Sequence, residues 1–359
     1  MKVLVARTDR LGDLVLSLPV LADLKAALPA AQVHAMVAPG AVPLVEHDPA
    51  VTRVWTWHDA LSAADTDALA EALRAEGFAA AVLLQYRREL ATLLRRAGVP
   101  RRYGPLSKWS SWWLLNRGAR QGRSRRARHE MDYNRDLGRR LARDLGAAAA
   151  VPAGGPRLHL GPAQREAAAA FRAAHGTAGR RIVFVHPGSG GSALDWEPAR
   201  FAAVANALAA DGHFVAITGA GADGAVVERV AAGLAPGVAV LLDAFDLRGF
   251  LAVLAAGDLF IGPSTGPLHM AAALGVATIG LFPPVRTMHP DRWGPRGAGG
   301  DAGANLVPPV DCPARRVCRG ERCPHHNCMD AIAVADVVAA ARPRLAPTAP
   351  SDRKNGEAR

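Results

Sequence analysis

The stretch from residue 259 to residue 275, LFIGPSTGPLHMAAALG, limits what this chain can fold into more than any other. It begins with apolar and small residues that predict the end of a buried strand. The turn that follows cannot continue the strand, because its prolines lack the backbone N–H that a sheet needs. A helix then begins near Pro267, with Ser264 or Thr265 as its cap and His269 in its first turn. The free N–H groups of such a turn can bind an anion, although an ordinary capped helix has the same pattern.

Strands and helices alternate in the same way along the rest of the chain. This alternation predicts an α/β fold with parallel, doubly wound sheets, in which ligands bind beyond the carboxyl ends of the strands. We predict strands at residues 2–7, 32–38, 51–57, 79–86, 181–186, 213–218, 238–242, 259–262 and 277–282, and helices at residues 14–28, 60–77, 87–98, 129–145, 160–174, 197–210 and 247–256.

A chain of 359 residues is long enough for two such domains. The sequence AAAAVPAGGP at residues 147–156 is typical of a linker between them. We therefore predict an N-terminal domain at residues 1–150, a C-terminal domain at 151–330, a closing helix at 331–345 and a disordered tail at 346–359.

The composition indicates the kind of partner. A formal charge of +11 and a pI near 10.4 favour anions such as nucleic acid, anionic lipid or phosphorylated sugar. No apolar run reaches the roughly 18 to 20 residues of a membrane span. The apolar stretch at residues 3–6 is too short for a signal peptide, so we expect a cytoplasmic protein.

Arginines and tryptophans are concentrated between residues 101 and 143, which we call the basic belt. Such a mixture can bind nucleic acid through phosphates and stacked bases. It can equally lie against an anionic membrane with its tryptophans at the interface. A third possibility is a solvated loop whose tryptophans, Trp109, Trp112 and Trp113, pack on the domain.

Three loops rich in glycine and small polar residues follow predicted strands of the C-terminal half. They come after His186, after Thr218 and after Gly262, and the first of them, PGSGGS, can approach a phosphate closely. None is a Walker loop, and the N-terminal turn TDRLGD is not a dinucleotide fingerprint. Three such loops at one sheet edge predict a nucleotide-sized site. In the N-terminal turn, Asp13 has the position of a helix cap or of a functional carboxylate.

Together these motifs resemble the heptosyltransferase family, glycosyltransferase family 9, over about residues 1 to 345. The resemblance rests on RTDRLGD at residues 7–13, HPGSGG followed by WEP at 186–198, TGAGAD at 218–223 and STGPLH at 264–269. It implies the GT-B fold, in which two Rossmann-like domains face each other across a cleft and a closing helix returns to the N-terminal domain. It also implies transfer of heptose from ADP-heptose to a lipid-linked acceptor of the lipopolysaccharide core, with inversion.

The resemblance also implies roles for single residues. Asp13 matches the general base. The chain departs from the family at Leu194, where a lysine is common, and at Ser264, where an aspartate is common, so the donor is not determined. The remaining predicted site residues are, for the donor, His186, Ser189, Gly190, Ser192, Thr218, Gly219, Asp223, Ser264, Thr265, Gly266 and His269, and, for the acceptor, Arg10, Arg123, Arg125 and Arg126.

All four cysteines, Cys312, Cys318, Cys323 and Cys328, fall within one short segment. Their spacing is not that of a standard zinc ribbon. A structural zinc ion, two disulfides or packed reduced thiols are compatible with it, and a reducing cytosol disfavours the disulfides.

The predicted function is that of an inverting glycosyltransferase that needs no cofactor for catalysis. Its expected partners are an ADP-heptose-like donor, an anionic glycolipid or glycan acceptor and, peripherally, the inner membrane; nucleic acid is not expected. The alternatives are a non-enzymatic protein that binds nucleic acid or a membrane surface, and another nucleotide-sugar enzyme such as an epimerase.

Overall fold

A computed structural model describes residues 1–123, 128–147, 154–176, 179–191, 193–301, 303–314 and 317–346. Two six-stranded sheets, each fully parallel, form the two halves of the molecule. This confirms the predicted α/β fold with two doubly wound sheets. None of the helices in these residues is long and apolar enough to cross a bilayer.

The first sheet belongs to the N-terminal domain. Its strand order is β3-β2-β1-β4-β5-β6. The elements are β1 (Lys2–Ala6), α1 (Leu11–Val15), α2 (Leu18–Ala27), β2 (Gln32–Val37), β3 (Val51–Thr56), α3 (Ala63–Glu76), β4 (Ala80–Leu83), α4 (Arg88–Arg96), β5 (Arg102–Pro105), α5 (Trp109–Leu114), β6 (Arg117–Ala119) and α6 (Glu130–Asp144).

The second sheet belongs to the C-terminal domain. Its order, β14-β11-β10-β7-β8-β9, repeats the connectivity of the first, and β12 and β13 form a separate antiparallel pair. The elements are α7 (Pro162–His175), β7 (Ile182–Val185), α8 (Pro198–Ala210), β8 (Phe214–Gly219), α9 (Gly224–Ala231), β9 (Ala239–Leu242), α10 (Leu247–Ala255), β10 (Leu259–Pro263), α11 (Gly266–Ala273), β11 (Ala277–Leu281), α12 (Pro290–Trp293), β12 (Arg296–Gly297), β13 (Gly300–Asp301), β14 (Gly303–Leu306) and α13 (Val334–Leu345).

The central strands are buried on both faces, as helices on both sides of a sheet require. In β1, Val3 and Val5 join one apolar cluster while Leu4 and Ala6 join another. The first of these clusters also contains Phe184 of β7, so the two domains share part of one core.

Each sheet changes the direction of its strand order at one place. These switch points lie between β1 and β4 in the first sheet and between β7 and β10 in the second. Loops leave neighbouring strands in opposite directions there, and the resulting crevice is where such sheets bind ligands. The turns after β1 and β10, which carry Asp13 and the STGPLH motif, begin at these two places.

Two predicted details of the helices are wrong. The single helix predicted at residues 14–28 is divided into α1 and α2, and Ser17 Oγ donates to the Asp13 carbonyl at 2.7 Å near the break. The closing helix, which the resemblance would return to the N-terminal domain, packs instead on the second sheet. The apolar side chains of α13, including Val337 and Ala341, join the cluster of Trp196 and Phe201.

The basic belt is more ordered than a solvated loop. It contains β5, α5, β6 and α6, although residues 124–127 lie outside the described part of the chain. Trp109, Trp112 and Trp113 do not pack on the domain, since they are 80%, 49% and 70% exposed. Of the three possibilities for the basic belt, the one in which these tryptophans pack on the domain therefore does not hold.

Candidate active site

A cleft between the two domains contains two adjoining cavities. One has a volume of about 700 Å³ and is lined mainly by charged residues of the N-terminal domain. The other, of about 600 Å³, is lined mainly by the C-terminal domain. We call them the acceptor cavity and the donor cavity, after the roles that the sequence resemblance implies for their residues. They share Asp9, Arg10, Gly12, Thr265 and Gly266.

The two domains lie close together between α1 and α11. A Cβ atom on Gly12 would lie 3.0 Å from His269 Cδ2 and 3.3 Å from Gly266 Cα. A Cβ atom on Gly266 would lie 3.5 Å from the backbone nitrogen of Gly12. Because position 12 is glycine, the helix that carries Asp13 can lie directly beside the first turn of α11.

Asp13 lies in the first turn of α1 and lines the acceptor cavity. Its Oδ1 accepts a hydrogen bond of 2.5 Å from Arg7 Nη2. Its Oδ2 has no hydrogen-bond partner among the described residues. The neighbouring carboxylate, Asp9, accepts from Arg7 through both oxygens, at 2.6 and 2.9 Å. Asp13 is therefore the carboxylate with an oxygen available to a ligand.

Burial raises the pKa of Asp13 to about 6, with Asp9 and Glu130 adding to the effect and Arg7 opposing it. A carboxylate with this pKa is mostly ionised at neutral pH but holds a proton more readily than an ordinary aspartate. Both properties suit a group that must accept a proton.

Glu130, at the start of α6, is the centre of a buried cluster of charges. Its Oε1 lies 3.7 Å from Arg7 Nη1 and accepts a hydrogen bond from Arg123. Its Oε2 accepts from Arg292 at 2.9 and 3.2 Å. Although burial acts in the opposite direction, Arg123, Arg7 and Arg292 hold the pKa of Glu130 below its usual range. One ionised carboxylate thus holds three guanidinium groups, of which Arg292 belongs to the C-terminal domain.

A second contact beside Glu130 also joins the domains. His129 Nε2 lies 2.9 Å from the Gly294 carbonyl, and His129 Nδ1 accepts from the Met131 N–H at 3.2 Å. This arrangement requires the neutral imidazole with its proton on Nε2. The start of α6 and the segment around α12 therefore close one side of the acceptor cavity.

The predicted phosphate loop after β7 lies in the donor cavity. His186 Nδ1 lies 3.1 Å from Thr218 Oγ1, and His186 Nε2 lies 3.8 Å from Asp223 Oδ2. A Cβ atom on Gly188 would lie 2.0 Å from Asp223 Oδ1, so only glycine allows this close approach. The three predicted residues His186, Thr218 and Asp223 thus form one connected group.

The first turn of α11 faces both cavities. Thr265 is at the N-cap position, but its hydroxyl donates to the Pro263 carbonyl at 3.3 Å instead of capping the helix. Burial, with a smaller effect of His129, lowers the pKa of His269 to about 3, so this imidazole is neutral. His269 Nδ1 is buried and has no partner in the described part of the chain, as expected of a site that a ligand completes.

The structure also shows site residues that the sequence did not reveal. Glu130 and Arg292 were not predicted, because their pairing joins residues 162 positions apart. The donor cavity has an apolar wall, which is suited to a flat ring. The wall consists of Leu241, Phe245, Leu247, Phe250 and Met270.

The other predicted residues are placed as follows. Arg10 and Arg123 line the acceptor cavity, Ser264 also lines it, and Gly190 and Gly219 line the donor cavity. Ser189 also lines the donor cavity, where its hydroxyl donates to Asp195 at 2.7 Å. Three predicted residues lie outside the described part of the chain, namely Ser192, Arg125 and Arg126.

The four cysteines are free thiols that are partly exposed. Burial and the other three thiols raise the pKa of Cys328, so the four lie near one another. Among the described residues, however, no group of three or more His, Cys, Asp or Glu side chains is arranged to hold a metal ion. A structural zinc ion at these cysteines stays a prediction.

The model of the family described as glycosyltransferase family 9 (heptosyltransferase) matches residues 66–300 of the chain. A Haemophilus influenzae protein named "Putative glycosyltransferase" is 31% identical over 298 residues, which cover 82% of this chain and 86% of that protein. This chain belongs to glycosyltransferase family 9. Both findings cover most of the chain, and they confirm the family that the motifs indicated.

Solved structures of family 9 proteins share the fold. A family 9 glycosyltransferase from Veillonella parvula superposes with a TM-score of 0.81, at 20% identity, over 96% of this chain and 97% of that one. The E. coli ADP-heptose lipopolysaccharide heptosyltransferase II superposes with a TM-score of 0.75, at 21% identity, over 96% of this chain and 98% of that one. The E. coli heptosyltransferase WaaC, solved with ADP, superposes with a TM-score of 0.71, at 22% identity, over 96% of this chain and 100% of that one.

Proposed function

We propose that this family 9 glycosyltransferase transfers a sugar, with inversion and without a metal ion, from a nucleotide donor to an anionic glycan of the lipopolysaccharide-core type. ADP-heptose is the expected donor, since related structures have been solved with ADP and with an ADP-heptose analogue. One observation carries the proposal. Asp13 has an unoccupied carboxylate oxygen in the acceptor cavity, beside the first turn of α11.

The geometry separates the two reactants. Asp13 belongs to the N-terminal domain, while α11 and the loop after β7 belong to the other domain. Inversion requires the acceptor hydroxyl to attack the sugar from the side opposite the departing diphosphate. Asp13 Oδ2 accepts the proton of that hydroxyl as the new bond forms, while Arg7 holds Oδ1.

The charge that develops on the departing diphosphate is met by groups at α11. The start of this helix lines both cavities with its N-terminal turn, and the neutral His269 can add one N–H without adding charge. Arg10 lines both cavities and supplies a cation between donor and acceptor.

The lining of the acceptor cavity suits an anionic acceptor. Five arginines face three carboxylates there, so the cavity is cationic. The arginines are Arg7, Arg10, Arg87, Arg123 and Arg292.

The donor can be tested by calorimetric titration with ADP, UDP, GDP and CDP, each with and without EDTA. We expect ADP to bind best and EDTA to leave its affinity unchanged. Thr265→Ala and His269→Ala should each weaken ADP binding by roughly 0.5 to 2 kcal/mol, as expected for one lost hydrogen bond. Thr92→Ala, on α4 and outside both cavities, is the matched control.

Three results would count against the proposal. Unchanged ADP affinity in both variants would remove α11 from the donor site. Conversion of ADP-heptose without any acceptor would indicate an epimerase. Failure to bind any nucleotide would indicate a non-enzymatic binding protein.

The raised pKa of Asp13 gives the reaction a defined pH dependence. Because the base must be ionised, kcat/KM should fall about tenfold per pH unit below pH 6 and level off above it. The measurement is a pH profile from 4.5 to 8.5 in buffers of constant ionic strength. A profile that stays flat down to pH 5 would show that another group accepts the proton.

A further inference from the structure

The short helix α5 (Trp109–Leu114) presents three tryptophans to solvent. Trp109 and Trp113 are 80% and 70% exposed and contact each other edge to face, with ring centroids 6.5 Å apart. Trp112 is 49% exposed. Large apolar side chains are rarely exposed in such a group unless the surface meets a partner.

The surroundings of these tryptophans are cationic. The guanidinium of Arg120 lies 4.9 Å from the centre of the Trp112 ring, and Lys108 immediately precedes the helix. Arg117 follows the helix and is also exposed, and its Nε lies 4.0 Å from Asp144 Oδ2. No Asp or Glu occurs anywhere between residues 90 and 129. The surface therefore combines exposed aromatic rings with positive charge, which complements an anionic partner.

This surface lies next to the acceptor cavity. Tyr86 Oη donates to Ser110 Oγ at 2.6 Å, which ties α5 to the chain after β4. The two neighbours of Tyr86, Gln85 and Arg87, line the acceptor cavity. A partner on α5 would thus be held beside the acceptor cavity.

We propose that α5 and its flanking cations dock on the headgroup region of an anionic lipid bilayer. Tryptophan suits this region because its ring is apolar and its N–H is polar. The cations are drawn to the negative surface potential of anionic lipids. The proposal goes beyond the proposed function and does not depend on the identity of the sugar.

The same features disfavour two other partners. Single-stranded nucleic acid needs flat ring faces on which bases stack, whereas the Trp109 and Trp113 planes meet at 61°. A second copy of the chain would bring two cationic surfaces together, and they would repel.

The test is flotation of the full chain with vesicles of phosphatidylcholine containing 0% or 30% phosphatidylglycerol. We expect binding to the anionic vesicles that weakens with salt. Trp109→Ser combined with Trp113→Ser should reduce the apparent affinity roughly tenfold or more. Lys108→Gln combined with Arg117→Gln should reduce it about fivefold per cation, on the anionic vesicles alone.

Matched controls lie on the C-terminal domain. Val317 is 79% exposed and Arg229 is exposed, so Val317→Ser and Arg229→Gln remove comparable groups elsewhere. Both controls should bind vesicles like the unchanged chain. Retained circular dichroism and ADP binding in every variant show that the fold and the donor site are intact.

Brominated lipids show directly whether the tryptophans enter the bilayer, since bromine quenches the fluorescence of a nearby indole. Quenching should occur in the unchanged chain and be lost in the Trp109→Ser, Trp113→Ser variant. Equal vesicle binding by that variant and the unchanged chain overturns the proposal. The proposal is also overturned if that variant loses a concentration-dependent dimer, or oligonucleotide binding, while it still binds vesicles. Each of these results leaves the ADP titration, and hence the proposed function, unaffected.

Discussion

Asp13→Asn should reduce kcat by about 10² to 10⁴ while leaving the affinity for ADP nearly unchanged. The substitution keeps the shape of the side chain and an oxygen for Arg7 but removes the proton acceptor. It should not destabilise the protein at pH 7. Burial raises the pKa of Asp13, so the ionised carboxylate is the less favourable form in the folded state. Single-turnover kinetics with saturating donor, together with a thermal melt, measure both effects.

Asp9→Asn is the matched control, since Asp9 lies in the same turn and pairs with the same arginine. Both oxygens of Asp9 already accept from Arg7, so its loss should disturb that side chain and reduce kcat far less. If Asp13→Asn turns over at nearly the normal rate and Asp9→Asn does not, Asp9 is the base and the assignment is wrong.

Glu130→Ala should lower the free energy of unfolding by about 3 to 5 kcal/mol, the cost of removing one partner from a buried ionic cluster. Three arginines would lose their shared carboxylate. The Glu130 side chain is only 2% exposed, so water could not easily take its place. Urea unfolding at pH 7, followed by circular dichroism, measures the loss. Because its arginine partners lower the pKa of Glu130, its contribution is present above the ordinary value of 4.5 and is lost as the pH falls below it.

The matched control is Glu71→Ala on α3. Glu71 also pairs with an arginine, Arg74, but its side chain is 68% exposed. Exposed pairs of this kind contribute about 0 to 1 kcal/mol. If Glu130→Ala costs no more than Glu71→Ala, the cluster around Glu130 does not hold the two domains together.

Much of the fold could be predicted because its signals are local. Nine predicted strands and the helices between them correspond to observed elements, since apolar periodicity and turn residues are properties of short stretches. The short strands β5 and β6 were not predicted. They have four and three residues and are rich in arginine and glycine, so their own sequence carries little strand signal.

The packing of α13 is another feature that its own sequence does not determine. Its apolar residues predict a helix, but several surfaces could cover one apolar face. The choice of the second sheet depends on the side chains around Trp196, which lies more than a hundred residues away.

The sequence by itself determined the family, the two parallel sheets, the turn that follows each switch-point strand, and the position of Asp13 in one of those turns. These follow from residue types at short spacing, which fix backbone conformation locally. Only the tertiary structure showed that Glu130 joins Arg7, Arg123 and Arg292 in the wall of the acceptor cavity, that Asp13 keeps one oxygen available, and that α5 exposes its tryptophans. Burial and pairing between distant residues are properties of the assembled domains, and no short stretch of sequence carries them.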